Sequence, residues 1–293
     1  MSASNVDLAL PDKRAVRRAF DRAARFDAAC PVHDEARSRL LERLDFFRLD
    51  PKLIVDLGSA TGRGAGALAA RFPAAKVLAL DVSLCMLRAA RGTRAARIGF
   101  VGGDAESLPL GSGTVQLIFA NLCLPFCRPD RVFAEAARVL AAGGLLVFST
   151  VGPDTLQEVR RAWAGVDDRI HVHAAFDLHD LGDLALSSGL EEPVVDVDRL
   201  SVSYRDVAAL VGDLRACGAV NTAAGRRREL TGPGRWRAFE RRLGAIADAA
   251  GRLTVSVELV LGQAWGRGPG PRGVRDPGEI AIPVDAVRHR SSG

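Results

Sequence analysis

The stretch "LIVDLGSATGRG", residues 53–64, decides the fold. Its first half is a short apolar run of the kind that forms a strand buried on both faces. Asp56 stands at the end of that run, and Gly58, Gly62 and Gly64 follow it. Gly58 and Gly62 can take positive φ, and without a Cβ they let another group lie against the backbone. The pattern is therefore strand, tight turn, helix.

The same rhythm repeats downstream. Apolar runs occur at 53–57, 76–81, 98–101, 115–120 and 144–150, and helical segments at about 64–72, 84–91 and 130–140 separate most of them. Ser83 is placed to cap the second of these helices. Strands that alternate with helices form a parallel sheet covered on both faces, and right-handed crossovers make it doubly wound. After 150 the pattern changes to helices at about 154–163 and 178–188, the latter capped by Asp177 and ended by Gly189. A strand at 192–204, helices at about 205–217 and 233–249, and a last strand at 253–265 complete the series.

The expected fold class is α/β: a doubly wound, mostly parallel, seven-stranded Rossmann-like sheet with an antiparallel edge strand. Two helices, about 12–28 and 33–47 with Pro31 between them, precede it. The expected organisation is an N-terminal helical cap over 1–50 and an α/β core over 51–204. A helical acceptor-side insertion over 205–250, the last core strand over 251–266 and a flexible Gly/Pro/Arg tail over 267–293 follow.

Composition narrows the function. The chain has 293 residues, 48% hydrophobic and 26% charged, enough for a sizeable core. No apolar run approaches the roughly 18 residues of a membrane span, and the N-terminus lacks the apolar segment of an export signal. The five cysteines (30, 85, 123, 127 and 217) show no paired metal-ligand spacing. Reduced thiols in a cytoplasmic protein, and no metal site, are expected. The net charge of +5 is carried almost wholly by arginine, with Lys13, Lys52 and Lys76 as the lysines. Without a zinc finger, aromatic RNA-binding motif or basic arm, nucleic acid is not the expected partner.

Chemistry-bearing residues fall at the ends of successive strands, where open parallel sheets bind their ligands. Asp56, Gly58, Ala60 and Gly62 follow the first strand, and Asp81 ends the second. Asp104 and Ala105 follow the third, and Asn121 ends the fourth. Asp81 alone equally suits a helix N-terminal charge, but as one of four such residues it suits the two hydroxyls of a ribose. Asp104 with the backbone of Ala105 suits an adenine edge. A dinucleotide fingerprint, G-x-G-x-x-G, does not fit the glycines present. The D-x-G-x-x-x-G spacing, Asp104–Ala105 and the edge pair favour S-adenosylmethionine.

The turn resembles that of class I methyltransferases, matching D-x-G-x-G-x-G at Asp56, Gly58 and Gly62 and departing from it at Ala60. One added methyl there is expected to weaken cofactor binding rather than abolish it, unless φ at 60 is positive. The second half is more specific. "FSTVGPDTLQEVRRAW" (148–163), "HVHAAFDLHDLGDLALSSGLEEPVVDVDRLSVSY" (171–204), "DLRACGAVNTAAGRRRELTG" (213–232) and "ELVLGQAWG" (258–266) resemble the malonyl-acyl-carrier-protein O-methyltransferases of biotin synthesis. The similarity runs from "AFDRAARFD" to the "EIAIPVDAV" tail.

That resemblance implies methylation of the free carboxylate of a malonyl group carried on acyl carrier protein. An ionised carboxylate needs no general base, so alignment and water exclusion carry the reaction. This agrees with the lack of a Ser/His/Asp or Cys/His set. Methylation of another small carboxylate, or a non-methylating cofactor-binding or assembly role, are the alternatives. Arg205, Arg226, Arg227 and Arg228 are the candidates to meet a carboxylate or an acidic carrier protein. A solvated arginine-rich loop is the plainer reading of the same run. Phe26, Tyr204 and His173 are the positioning candidates, Phe26 standing where the family commonly has tyrosine. His171, His179 and the three tryptophans are expected to be structural. The sequence does not specify an oligomeric state.

Overall fold

The computed structural model describes residues 10–23, 26–92 and 97–268. Most of the expected tail, residues 269–293, lies outside these.

Strands β1 (Leu53–Leu57), β2 (Lys76–Asp81), β3 (Ile98–Gly102), β4 (Val115–Ala120), β5 (Leu140–Val151), β6 (Leu190–Tyr204) and β7 (Leu253–Gly266) form one sheet. Its order is β3-β2-β1-β4-β5-β7-β6. The pairs from β3 to β5 are parallel, and β7 is antiparallel to both β5 and β6. The antiparallel strand thus lies between β5 and β6, and the edge is a β6–β7 pair. Strand order reverses between β1 and β4, so the crevice at that switch point opens beyond Leu57 and Ala120.

The helices are α1 (Lys13–Asp21), the single turn α2 (Phe26–Ala29), α3 (Pro31–Arg43), α4 (Arg63–Arg71) and α5 (Leu84–Ala90). Then come α6 (Pro129–Val139), α7 (Gln157–Ala164), α8 (Leu178–Ser187), α9 (Val207–Ala216) and α10 (Pro233–Gly244). The long N-terminal helix expected over 12–28 is two shorter ones. Pro31 opens α3 rather than separating two helices, because a proline at the first helical position loses no hydrogen bond. Ser83 caps α5, its Oγ accepting from the Met86 N–H at 3.2 Å. Asp177 caps α8 by accepting from the N–H groups of His179 and Asp180.

Period-two alternation sorts the strands between two cores. Val55, Leu57, Ile118, Phe148 and their neighbours pack on α6 and α8. Ile54, Leu117, Phe119 and Val147 pack on α3 and α4. Asp56 shares the face of Ile54, which sends its carboxylate beneath α4.

β6 and β7 are longer than the sheet they join. β5 pairs β7 only from Val151↔Leu259 onward, whereas β6 stays paired with β7 to Tyr204↔Leu253. The surplus forms a two-stranded ribbon beyond the C-terminal rim of the parallel strands, and it carries α9 and α10. A separate core forms there around Trp163, whose ring lies between His171 (3.8 Å between centroids) and Phe239 (4.3 Å). Trp265 instead packs on Phe47 in the main core.

The N-terminal segment is stitched to this ribbon-borne unit across more than two hundred residues of sequence. The Asp12 N–H donates to the Thr222 carbonyl (2.7 Å) and the Ala224 N–H to Leu10 (2.8 Å). Arg226 donates to Asp12 Oδ2 at 3.2 Å. Phe20 lies so close to Gly218 that a Cβ there would sit 2.9 Å from its ring. The two units together roof the crevice.

Candidate active site

The glycine turn is fastened to the end of β2. The N–H groups of Gly58 and Ser59 both donate to the Leu80 carbonyl, at 2.8 and 3.0 Å. Asp81 accepts from Ala60 N–H at 2.9 Å on one oxygen and from Ser83 N–H at 2.7 Å on the other. Holding this path requires φ of +70° at Gly58, +46° at Ala60 and +80° at Gly62. Ala60 therefore meets the exception stated above: it is left-handed, at a cost of about 1 kcal/mol or more for an L-residue. Gly58 is required on a second count, since a Cβ there would lie 2.8 Å from Cys123 Sγ.

Asp56 is 2% exposed, and burial pushes its carboxyl up to about 7 against the help of one backbone N–H from Ala65. Its Oδ2 and the Ser59 Oγ are buried without a hydrogen-bond partner among the described residues. Gly64 leaves room for that carboxylate: a Cβ there would lie 2.8 Å from Asp56 Oδ2. An orphaned anionic oxygen and an orphaned hydroxyl at one turn are built to receive a cationic, hydrogen-bonding group. Burial also raises the Asp81 carboxyl, opposed by its backbone N–H partners.

Two narrow cavities lie over the turn. One, about 40 Å³, is bounded by Asp56, Gly58, Ser59, Ala60 and Asn121. The other, about 60 Å³, is bounded by Gly58, Ala60, Asp81, Ala105 and Asn121. Phe26 walls both. The structure thus brings most of the expected cofactor residues together. Gly62 and Asp104 line neither cavity. Gly62 instead begins α4, and Asp104 accepts Lys13 Nζ at 2.7 Å and Glu106 N–H at 3.0 Å, both on Oδ1. Lys13 also reaches Glu106 at 2.9 Å, and these carboxylates hold its ammonium above the usual lysine range despite burial. Asn121 accepts from Ser149 Oγ (2.9 Å) and donates to the His33 carbonyl (3.0 Å), joining β4, β5 and α3.

A third cavity of about 370 Å³, mostly apolar, runs between the cap, the end of β5 and the ribbon. Tyr204 and His173 line it. His173 is engaged by the Thr222 N–H at 2.6 Å, and burial lowers its pKa. The four candidate arginines do not line it. Arg226 is held by Asp12 and the Ala223 carbonyl, Arg227 pairs with Glu229 at 2.8 Å, Arg205 pairs with Asp206 at 3.3 Å, and Arg228 is exposed. Among the described arginines Arg160 lines this cavity, and its guanidinium donates to the Pro153 and Thr155 carbonyls.

A methyltransferase domain family matches residues 55–148, the segment that carries the turn and the strand ends. A malonyl-acyl-carrier-protein O-methyltransferase of Gallionella capsiferriformans is 40% identical over 280 residues, covering 92% of this chain and 95% of its own. The protein of the same name from Laribacter hongkongensis is 42% identical over 283 residues. The chain belongs to the malonyl-acyl-carrier-protein O-methyltransferase family. Family identity covers the ribbon and α9–α10 as well as the turn. The methyl donor of this methyltransferase family is S-adenosylmethionine. Among solved structures, the YcgJ protein of Bacillus subtilis superposes with a TM-score of 0.56 at 17% identity over 81% of this chain and 100% of its own. Phosphoethanolamine N-methyltransferase 2 of Haemonchus contortus does so at 0.51 and 18%, over 79% and 52%. At these identities the two share the fold. Among the described residues, no helix is long and apolar enough to cross a membrane, and no cluster of three or more metal-ligating side chains occurs.

Sequence reasoning passed over Ser59, Lys13, Arg160 and His33. Lys13, one of three lysines in an arginine-rich chain, offered a faint signal. The others carry none, because their positions depend on how the cap and the ribbon close.

Proposed function

We propose that this protein esterifies the free carboxylate of a malonyl group borne by acyl carrier protein. The observation that carries the reading is the family identity over 92% of the chain, joined to a turn with orphaned polar atoms and an apolar cavity beside it.

S-adenosylmethionine, when bound, supplies a methyl group on a positively charged sulfur that an ionised carboxylate accepts without a general base. Asp56 Oδ2 and Ser59 Oγ would hold the ammonium and carboxylate end of its amino-acid part. Asp81 would accept from the ribose, and the Ala105 backbone would meet the adenine edge, with Asp104 held beside it by Lys13. Asn121 fixes the distance between β4 and the start of α3. Phe26 supplies an apolar wall in place of a hydroxyl. The large cavity takes the malonyl group and its thioester arm, and its apolar lining keeps water from competing for the methyl. Residues 213–221 contribute its outer wall, and Leu10, Pro11 and residues 30–33 its roof. Arg205 and Arg228, exposed outside the cavity, are placed for an acidic carrier protein, while Arg226 fastens the roof through Asp12.

The test is acceptor discrimination, read by intact mass after incubation with S-adenosylmethionine. Malonyl-carrier protein is expected to gain one methyl and acetyl-carrier protein none. Methylation of both, or of neither, would overturn the reading.

A further inference from the structure

His33 is the one described residue that lines all three cavities. It sits in the first turn of α3, two residues after Pro31. Its carbonyl is tied to Asn121, and the Phe26 ring meets its imidazole edge-on at 5.1 Å. Backbone and ring plane are thereby fixed. Neither ring nitrogen has a hydrogen-bond partner among the described residues, whereas Asp81, Asn121 and Ser149 at the same rim are all engaged. A fixed, unpartnered imidazole on a residue that walls the acceptor cavity and both cofactor cavities is a donor awaiting an acceptor.

We infer that the His33 imidazole N–H presents the malonyl carboxylate to the methyl donor, bonding the oxygen that is not methylated. This rests on the function proposed above and names the group that orients its acceptor. The chemistry favours such a donor over an arginine. Carboxylate and sulfonium both lose their charge as the ester forms, so a cation on the carboxylate stabilises the ground state more than the transition state. A neutral donor orients the oxygen and gives up little as the charge disperses. His33 stays neutral at pH 7: burial holds its pKa at about 4, with Asp34 opposing the shift and Arg37 adding to it. The same argument accounts for the four candidate arginines standing outside this cavity, and for Arg160 being turned onto backbone carbonyls.

The experiment compares wild type, His33→Ala and His33→Gln, the amide keeping an N–H donor. Calorimetry reads S-adenosylmethionine affinity, and steady-state kinetics read malonyl-carrier protein. His33→Ala is expected to lower kcat/KM for the malonyl substrate by about 10- to 100-fold, the loss of one hydrogen bond to a charged group. His33→Gln is expected to recover most of that loss, with cofactor affinity in both variants within about 3-fold of wild type. In wild-type protein with ¹⁵N-labelled histidine and S-adenosylhomocysteine, malonyl thioester is expected to shift the His33 ring signal, and acetyl thioester not to. Unimpaired His33→Ala, a His33→Gln variant as slow as alanine, or an unmoved ring signal would each overturn the inference while leaving the function standing. A wild-type protein inactive on malonyl-carrier protein would overturn the function, and the inference with it.

Discussion

Replacing Asp56 by asparagine should stabilise the ligand-free protein and weaken its hold on the cofactor. The carboxyl is pushed from 3.8 to about 7 by burial, a rise of about three pH units, which at about 1.4 kcal/mol each amounts to roughly 4 kcal/mol. An acid whose folded pKa lies above its unfolded pKa destabilises the fold when ionised. That cost is complete above about 7 and vanishes below 3.8. Asparagine keeps the oxygen that accepts from Ala65 but places an amide N–H where Oδ2 stands unpartnered, returning about 1–3 kcal/mol. The net expectation at pH 8 is a gain of about 1–3 kcal/mol, or ~2–4 °C in Tm per kcal/mol for a domain of this size. The gain should disappear by pH 4. Thermal melts of both proteins across pH 4–8 measure it. Calorimetric titration should show S-adenosylmethionine binding weakened at least about tenfold, the loss of one charged partner. Wild-type binding should release protons near pH 7, seen as a dependence of the heat on the buffer. An Asp56→Asn protein that is less stable at pH 8 and binds the cofactor as wild type would refute the assignment of Asp56 as a buried, ligand-facing charge.

Other outcomes follow from the same contacts. Ala60→Gly removes a left-handed alanine and should leave stability unchanged or raise it by up to about 1 kcal/mol, with cofactor affinity equal or better. A thermal melt and a binding titration check both. Lys13→Ala removes the ammonium that Asp104 shares with the nearly buried Glu106, leaving Glu106 the Arg128 N–H and the more distant Arg131, and should cost about 1–3 kcal/mol in urea unfolding, an effect that shrinks in a Glu106→Gln background. Trp163→Ala empties the stack between His171 and Phe239, removing about 3–5 kcal/mol from the ribbon-borne unit. It should raise KM for the malonyl substrate while cofactor binding persists.

The sheet was legible because each strand and helix declared itself locally. The apolar runs at 53–57, 76–81 and 115–120 match β1, β2 and β4 residue for residue, and Ser83 and Asp177 cap the helices they announced. The polar residues at the strand ends were legible for the same reason, since a parallel sheet sends every strand end to one rim. What depended on long-range closure was not. Arg226 looked like a ligand group in a basic run, yet Asp12 reaches it only once residues 10–23 fold over the ribbon. Lys13 meets Asp104 by the same closure. His33 gave no pattern to read, because its significance lies in three cavities meeting at one ring. Ala60 was legible as a departure, but its left-handed backbone came from the bonds of its neighbours to Leu80 and of its own N–H to Asp81.

The function proposed for this chain is to make a methyl ester of a carrier-bound malonyl group. Purified protein, malonyl-carrier protein and S-adenosylmethionine labelled in its methyl group test it in one tube. The expected result is label on the carrier protein that mild base releases as volatile methanol. Label that stays on the protein through base, or no label despite saturable cofactor binding, would contradict it.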